Sequence, residues 1–155
     1  MPNHIISVIC KQPEDVIKSN KTKLQSAQNR LIRVILGLGP RTHIGRNQFR
    51  EINWLPVESR VTMARLTMVH KIKYGEVPSF LKRCFTQVSE VHTHYTRASI
   101  ADVSLPDFKS KVGKGSFTYI GASQWNNLEI RIKLTTNLRS FKQLTKASLL
   151  EKVPL

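Results

Sequence analysis

The stretch Asn53–Arg60, which reads Asn-Trp-Leu-Pro-Val-Glu-Ser-Arg, constrains the fold of this chain more than any other segment. Pro56 can begin a helix but cannot continue one, so one helix is expected to end before it and another to start there. Trp54 and Leu55 place a large apolar surface directly ahead of that start. Because the stretch lies between two segments with helical apolar spacing, we interpret it as the packing hinge of the first half.

The N-terminal half repeats apolar residues at spacings of three and four, which is typical of amphipathic helices. Helices are expected over residues 14–36 (most regular from 21), about 45–52, 56–74 and 78–85. The face of the first helix that is predicted to be buried consists of Leu24, Ala27, Leu31, Val34, Ile35 and Leu38. Gly37 and Gly75 are suitable helix ends.

The second half is less regular. Residues 86–104 are rich in Thr, Ser, His, Val and Gln without a period, which predicts a linker or an exposed loop. Residues 116–120 alternate and are aromatic and β-branched, which favours an extended segment. Residues 122–128 predict one or two helical turns, and Asn137 is a suitable N-cap for a final helix over 138–152.

These elements predict a mainly α fold. It has an N-terminal bundle of three to four helices, an irregular linker, and a small C-terminal lobe with a short extended segment or hairpin and a final helix. The expected divisions are an ambiguous segment at 1–20, a basic helical lobe at 21–85, the linker at 86–104 and a small mixed lobe at 105–155. The side chains assigned to the core are Leu31, Trp54, Leu55, Phe117, Trp125 and Phe141.

The composition is strongly basic: 25 Lys and Arg stand against 10 Asp and Glu, a formal net charge of +15. Such a balance favours a polyanionic partner, RNA or DNA first and acidic membrane surfaces second, whereas a solvated basic surface without a ligand is the alternative. Residues 1–85 hold a basic surplus of 10 and residues 86–155 one of 5, which places most of a polyanion face in the first half. The predicted nucleic-acid contacts are Arg30, Arg33, Arg41, His43, Arg46, Arg50, Arg60 and Arg65.

Motifs for catalysis are not recognisable in the sequence. There is no paired-carboxylate motif, Gly-rich phosphate loop or nucleophile elbow, so the chain is not expected to be an enzyme. Cys84, His92 and His94 match no structural zinc pattern, and neither a metal nor a cofactor is expected. Two unpaired cysteines, no signal peptide and no apolar run of membrane-span length predict an intracellular protein, nuclear or cytoplasmic, that is neither secreted nor membrane-bound.

Three blocks of sequence follow one another along the chain. They are Leu-Gln-x-x-Gln-Asn-Arg-x-Ile-Arg-x-Ile-Leu-Gly at 24–37; Asn-Trp-Leu-Pro-Val-x-x-Arg at 53–60, followed by Pro78-x-x-Leu81; and Thr96-Arg97, Gly-Ser-Phe-x-Tyr-x-Gly-Ala-x-x-Trp-Asn-x-Leu at 115–128 and Phe141-Lys142. In this order they resemble the C-terminal, post-palm region of reverse transcriptases encoded by non-LTR (LINE-type) retrotransposons. The resemblance covers roughly residues 22–150. Glu129 stands where that family usually has a proline.

This resemblance implies a truncated or exapted remnant of such an enzyme. The family's palm, with its catalytic aspartates, and its endonuclease have no counterpart in the sequence, so the implied activity is binding of template or target nucleic acid without catalysis. Two alternatives stay open. One is a protein-interaction module in which Trp54, Trp125 and Phe117 form an exposed aromatic surface, and the other is a translated relic without a selected function.

Overall fold

The structure, a computed structural model, describes residues 14–75, 77–88 and 101–154. Its helices are α1 (Glu14–Ile35), α2 (Arg46–Glu51), α3 (Val57–Lys73), α4 (Ser79–Lys82), α5 (Lys111–Lys114), α6 (Phe117–Asn126), α7 (Ile130–Lys133) and α8 (Leu138–Glu151). An isolated antiparallel bridge between Gln87 and Val103 is the β structure found within these ranges. The prediction of a mainly α fold is confirmed.

Helix ends follow the local sequence closely. Gly37 and Gly75 have φ angles of +62° and +85°, a left-handed conformation that glycine adopts without the steric cost a Cβ would add. These residues therefore end α1 and α3. At the start of α8, Asn137 Oδ1 accepts hydrogen bonds from the backbone N–H groups of Arg139 and Ser140, both at 3.0 Å. This is the N-cap that the sequence predicts.

The described residues form two compact units that differ from the contiguous lobes expected at 21–85 and 105–155. One unit contains residues 14–61 and 146–154, and the other contains the described residues between 62 and 145. The C-terminal segment belongs with the N-terminal helices because the backbone N–H of Arg46 donates to Pro154 O at 3.0 Å. Arg46 Nε also donates to Val153 O at 2.6 Å.

The first unit has a small apolar core. Its buried residues are Ile32, Ile44, Phe49 and Val153, with Leu36, Leu38, Ile52, Trp54 and Leu150 packed against them. These side chains come from the end of α1, the segment around α2 and the C-terminal segment. Trp54 of the hinge therefore packs against the core of the first unit, and Leu55 is buried as well.

The buried face of α1 was predicted wrongly. Ile32 is fully buried, whereas Leu24, Leu31, Val34 and Ile35 are 58%, 55%, 78% and 55% exposed. Assigning Leu31 to the core is therefore an error. Periodicity identifies an apolar face, but it does not say whether a neighbouring element covers that face.

Hydrogen bonds from polar side chains decide which face of α1 lies against the hinge. Gln28 Nε2 donates to Leu55 O at 2.9 Å, and Gln25 Oε1 accepts from the backbone N–H of Val57 at 2.9 Å. The second bond satisfies one of the N–H groups that a helix start leaves unpaired, here in the first residue of α3. Lys21 and Glu58 add an ion pair of 2.6 Å along the same side.

The core of the second unit is larger. Its buried residues are Leu66, Val69, Val103, Ala122, Trp125, Leu128, Ile132 and Phe141, and Tyr74, Phe85 and Phe117 pack against them. The rings of Trp125 and Phe141 stack with centroids 5.7 Å apart and planes inclined by 25°. His70 is fully buried beside Phe141, and its Nε2 lies 2.8 Å from Thr135 O.

The extended segment expected at 116–120 is instead the first part of α6. Ser116 acts as the N-cap, with its Oγ accepting from the backbone N–H of Tyr119 at 3.3 Å. Gly121 then allows close approach, because a Cβ at this position would lie 3.1 Å from Val69 Cγ2. A short run of alternating residues fits a strand and a buried helix equally well, and the cap and the packing favour the helix.

The linker expected at 86–104 is also partly wrong. Its end is buried, since Ala101 and Val103 are essentially inaccessible to solvent. The backbone N–H of Val88 donates to Asp102 O at 3.3 Å, and that of Ser104 donates to Thr86 O at 2.7 Å. The chain thus returns to the core next to the segment from which it left. The remaining linker residues, 89–100, and most of the ambiguous N-terminal segment lie outside the described residues.

Candidate nucleic-acid interface

Four of the predicted contacts, Arg30, Arg33, Arg41 and His43, belong to one local arrangement in the first unit, which we call the basic corner. Arg33 Nε donates to Thr42 O at 2.9 Å, so the end of α1 is tied to the loop that follows it. Arg41 and His43 flank the acceptor residue on either side along the chain. Arg30 lies about one turn before Arg33 on the same helix.

The turn after α1 brings this loop back to the helix. The backbone N–H of Leu38 donates to Arg33 O at 2.8 Å, next to the left-handed Gly37. The backbone N–H of Thr42 then donates to Gly39 O at 3.1 Å and closes a second turn. Leu38 of this loop packs against the apolar core, whereas Arg41 of the same loop is exposed. The basic corner is thus built on ordered backbone.

Three members of the corner are available to a ligand. Arg30, Arg41 and His43 are exposed, and their side chains form no hydrogen bond or ion pair with the described residues. Glu58 and Glu151 of the same unit pair with Lys21 and Arg50 instead. The ion pairs described in this unit therefore leave Arg30 and Arg41 without an acidic partner.

Arg60 has a different environment. Its guanidinium carbon lies 6.0 Å from the centroid of the Trp54 ring, within cation–π range, and Arg60 is exposed. Trp54 itself is only half-buried, with part of its surface against the apolar core. A tryptophan in this position both stabilises the unit and holds the arginine near the surface.

The other predicted contacts are engaged or lie elsewhere. Arg46 is bonded to the C-terminal segment through its side chain, and Arg50 pairs with Glu151, so both serve the first unit internally. Arg65 is half-buried and belongs to the second unit. The structure thus ties Arg33 of α1 to the loop that carries Arg41 and His43, with Arg30 one turn earlier on the helix. Lys23 is an exposed cation on α1 that sequence reasoning did not select. Its seven-residue spacing from Arg30 was the available signal.

Positive charge is shared between the two units. Residues 1–61 with 146–155 hold 12 basic and 5 acidic side chains, a surplus of 7, and residues 62–145 hold 13 and 5, a surplus of 8. The sequence halves suggested that the N-terminal part carries most of the surplus. The division by compact unit removes that asymmetry, because residues 62–85, with five basic side chains and one acidic side chain, belong to the second unit.

The second unit contains a buried polar network that the sequence did not predict. Lys133 is buried, and its Nζ donates to Asp102 Oδ1 at 2.7 Å and to Asn126 O at 2.6 Å. Lys73 Nζ donates to Ala101 O at 2.6 Å, and burial lowers the pKa of Lys73 although the nearby Asp102 carboxylate opposes that shift. These hydrogen bonds hold residues 101–103 in place, so the network has a structural role.

The aromatic residues divide by burial. Trp125 and Phe141 are fully buried, and Phe117 is half-buried against the same core. Trp125 Nε1 donates to Ala101 O at 2.9 Å, so its polar atom is satisfied inside the unit. An exposed aromatic surface that includes Trp125 is therefore wrong.

Other kinds of site were sought in the same ranges. The described residues contain no group of three or more His, Cys, Asp or Glu side chains placed to hold a metal ion, and His92 and His94 lie outside them. None of the helices that the structure describes is long and apolar enough to cross a membrane. No protein-family model, curated protein or solved structure is significantly similar to this chain.

Proposed function

We propose that the chain binds RNA or DNA through the basic corner, as a non-catalytic segment akin to the post-palm region of non-LTR retrotransposon reverse transcriptases. The observation that carries this proposal is the set of exposed side chains Arg30, Arg41 and His43, which lie on the last part of α1 and in the loop that Arg33 ties to it, and which have no partner among the described residues. The net charge of +15 supplies long-range attraction to a polyanion. The resemblance of the three sequence blocks supports nucleic acid as that polyanion.

Preorganisation favours binding at this corner. The bond from Arg33 Nε to Thr42 O immobilises the loop before a ligand arrives, so less conformational entropy is lost on binding. The guanidinium groups of Arg30 and Arg41 can each donate two parallel hydrogen bonds to a phosphate. Contacts of this kind position a nucleic acid without reading its bases, so affinity for unrelated sequences should be similar.

The test is a fluorescence-anisotropy titration of the whole chain with labelled single-stranded RNA and with duplex DNA, between about 50 and 200 mM salt. Arg30→Ala and Arg41→Ala should each weaken binding. Each should also reduce the slope of log affinity against log salt by about 1, because each removes one phosphate contact. The double variant should show the sum of both effects, since the two guanidinium groups make separate contacts.

A matched control is Arg139→Ala, which removes the same charge from an exposed position in the second unit. It should leave the salt slope unchanged. If Arg139→Ala weakens binding as much as Arg30→Ala and Arg41→Ala do, the attraction is spread over the surface and the corner is not a site. Affinity no higher than that of an unrelated protein of equal charge would also refute the proposal.

A further inference from the structure

Helix α1 carries an exposed apolar face that the described structure does not use. Leu24, Ala27, Leu31 and Val34 follow one another at spacings of three, four and three residues, and all four are exposed. We call these residues the apolar stripe. Their spacing is that of the a and d positions in two consecutive heptads of a coiled coil.

The stripe is not simply the edge of the core of its own unit. That unit uses the adjacent face of α1, where Ile32 is fully buried and Gln25 and Gln28 bond to the backbone of the hinge. A contiguous aliphatic face left in water is unusual in a folded protein and marks an interaction surface. Its residues span about 15 Å along the helix axis, so an occupant needs roughly two to three heptads.

The residues beside the stripe indicate what it accepts. With Leu24 and Leu31 at a positions, the g positions are Lys23 and Arg30, and both are exposed. The e positions are Gln28, whose side chain is bonded to Leu55 O, and the exposed Ile35. One edge of the stripe is therefore basic, and the other offers no acidic residue.

This charge pattern argues against a second copy of the chain. In an antiparallel pair, g positions face g positions, so Lys23 would meet Arg30 of the other copy. In a parallel pair, Lys23 and Arg30 would face Gln28 and Ile35, which cannot form ion pairs with them. An occupant with Glu or Asp on the side of its apolar seam that meets Lys23 and Arg30 complements the basic edge of the stripe.

We propose that the apolar stripe binds an amphipathic helix of another protein, one that carries acidic residues beside its apolar seam. Leucine and valine of the stripe would pack into that seam, and Lys23 and Arg30 would pair with the acidic side chains. Small Ala27 lets the two helix axes approach closely at the centre of the contact. The apolar contacts of the stripe are separate from the basic corner, but Arg30 belongs to both proposed surfaces, so the substitutions that distinguish the two proposals are those at Leu31 and Val34.

The probe is a fluorescently labelled peptide of roughly three heptads with Leu at a and d and Glu at e and g. Two peptides serve as comparators: one with Lys at e and g, and one with the composition of the Glu peptide but a scrambled order. The Glu peptide should bind the whole chain at least about tenfold more tightly than either comparator, as measured by anisotropy. The scrambled peptide accounts for the general attraction of an acidic peptide to a chain of charge +15.

Variants of the chain then locate the contact. The double substitution Leu31→Ser and Val34→Ser should weaken binding of the Glu peptide by about tenfold or more, and circular dichroism should be unchanged because both residues are exposed. Val112→Ser is the matched control, since Val112 is 79% exposed in the second unit. Lys23→Ala should weaken the Glu peptide but not the Lys peptide. The Leu31 and Val34 substitutions should leave RNA binding intact, which separates this result from the fate of the basic corner.

Several outcomes would overturn the proposal. One is binding of the Glu peptide that is no tighter than that of the scrambled peptide or is insensitive to the Leu31 and Val34 substitutions. Another is self-association in light scattering that these substitutions abolish, because a second copy would then occupy the stripe. A third is stripe-dependent binding to phosphatidylserine vesicles without binding to the Glu peptide, which would assign the face to a lipid surface.

Discussion

Replacing Phe141 by alanine tests the packing of the second unit most directly. Its ring is fully buried, stacked on Trp125 and with its centroid 4.3 Å from that of the His70 ring. Truncation therefore opens a cavity among large side chains, and solvent cannot reach the space. Phe141→Leu is a graded companion, because it removes the ring but keeps most of the apolar volume.

The expected cost follows from this environment. Replacing a buried Phe by Ala lowers the free energy of unfolding by about 3–5 kcal/mol, and the loss of ring stacking accounts for roughly 0.5–1.5 kcal/mol of that decrease. The walls of the cavity include rings that relax poorly, so we expect about 4 kcal/mol for Phe141→Ala. Phe141→Leu should cost about 1 kcal/mol because volume-conserving changes are tolerated better.

The measurement is urea unfolding followed by the fluorescence of Trp125. A Trp54→Phe background removes the signal of the first unit, because the chain's two tryptophans lie in different units. With a slope of about 2 kcal/mol per molar urea, the midpoint should fall by about 2 M for Phe141→Ala and by about 0.5 M for Phe141→Leu.

Leu134→Ala is the control, since Leu134 is more than half exposed in the same unit. Its midpoint should change by no more than about 0.3 M, the range of surface substitutions. If the shift for Phe141→Ala is no larger than that of this control, the aromatic cluster does not stabilise the unit and the assigned core is incorrect.

Two further predictions concern a helix cap and a buried amine. Asn137→Ala should lower the free energy of unfolding by about 1 kcal/mol, measured by urea titration, whereas Asn137→Asp should not, because a carboxylate can also accept from the first N–H groups of α8. Burial lowers the pKa of Lys73 below its ordinary value of 10.5, so the unfolded chain binds more protons between the two values and stability should rise with pH there. Burial raises the pKa of Tyr74 above 10.0 and that of Cys84 above 9.0, and both act in the opposite sense at higher pH, so the rise should be measured relative to Lys73→Met, in which both groups are unchanged. The free energy of unfolding should rise less with pH in Lys73→Met than in the unchanged chain; an equal rise in that variant would contradict the assignment.

Local sequence was sufficient for much of the helical framework. Each predicted end that depends on backbone stereochemistry, such as Gly37 and Gly75, lies where the chain needs a left-handed residue. The N-cap at Asn137 is equally local, because its acceptor and donors lie within three residues. The extended segment expected at 116–120 is wrong because a short alternating run fits a buried helix equally well, and the packing of Gly121 against Val69 that favours the helix is not visible in the sequence.

The candidate interface was predictable only in part. Sequence shows that arginines cluster on both sides of the hinge, but not which of them are free. Arg46 is hydrogen-bonded to Val153, more than one hundred residues away, and no local sequence pattern predicts that bond. The sequence does not distinguish Arg30 and Arg41 from Arg46, yet their side chains form no hydrogen bond or ion pair with the described residues.

The amino-acid sequence by itself determined the positive charge, the helical periods and the helix ends, because these depend on side-chain identity and on backbone sterics within a few residues. The tertiary structure decided which face of α1 is buried, which arginines are engaged and how the C-terminal segment completes the first unit. These outcomes depend on contacts between residues far apart in the chain. The leucines of α1 show the difference: the sequence determines their spacing, but their exposure follows from glutamines that bond an adjacent face of the helix to the hinge.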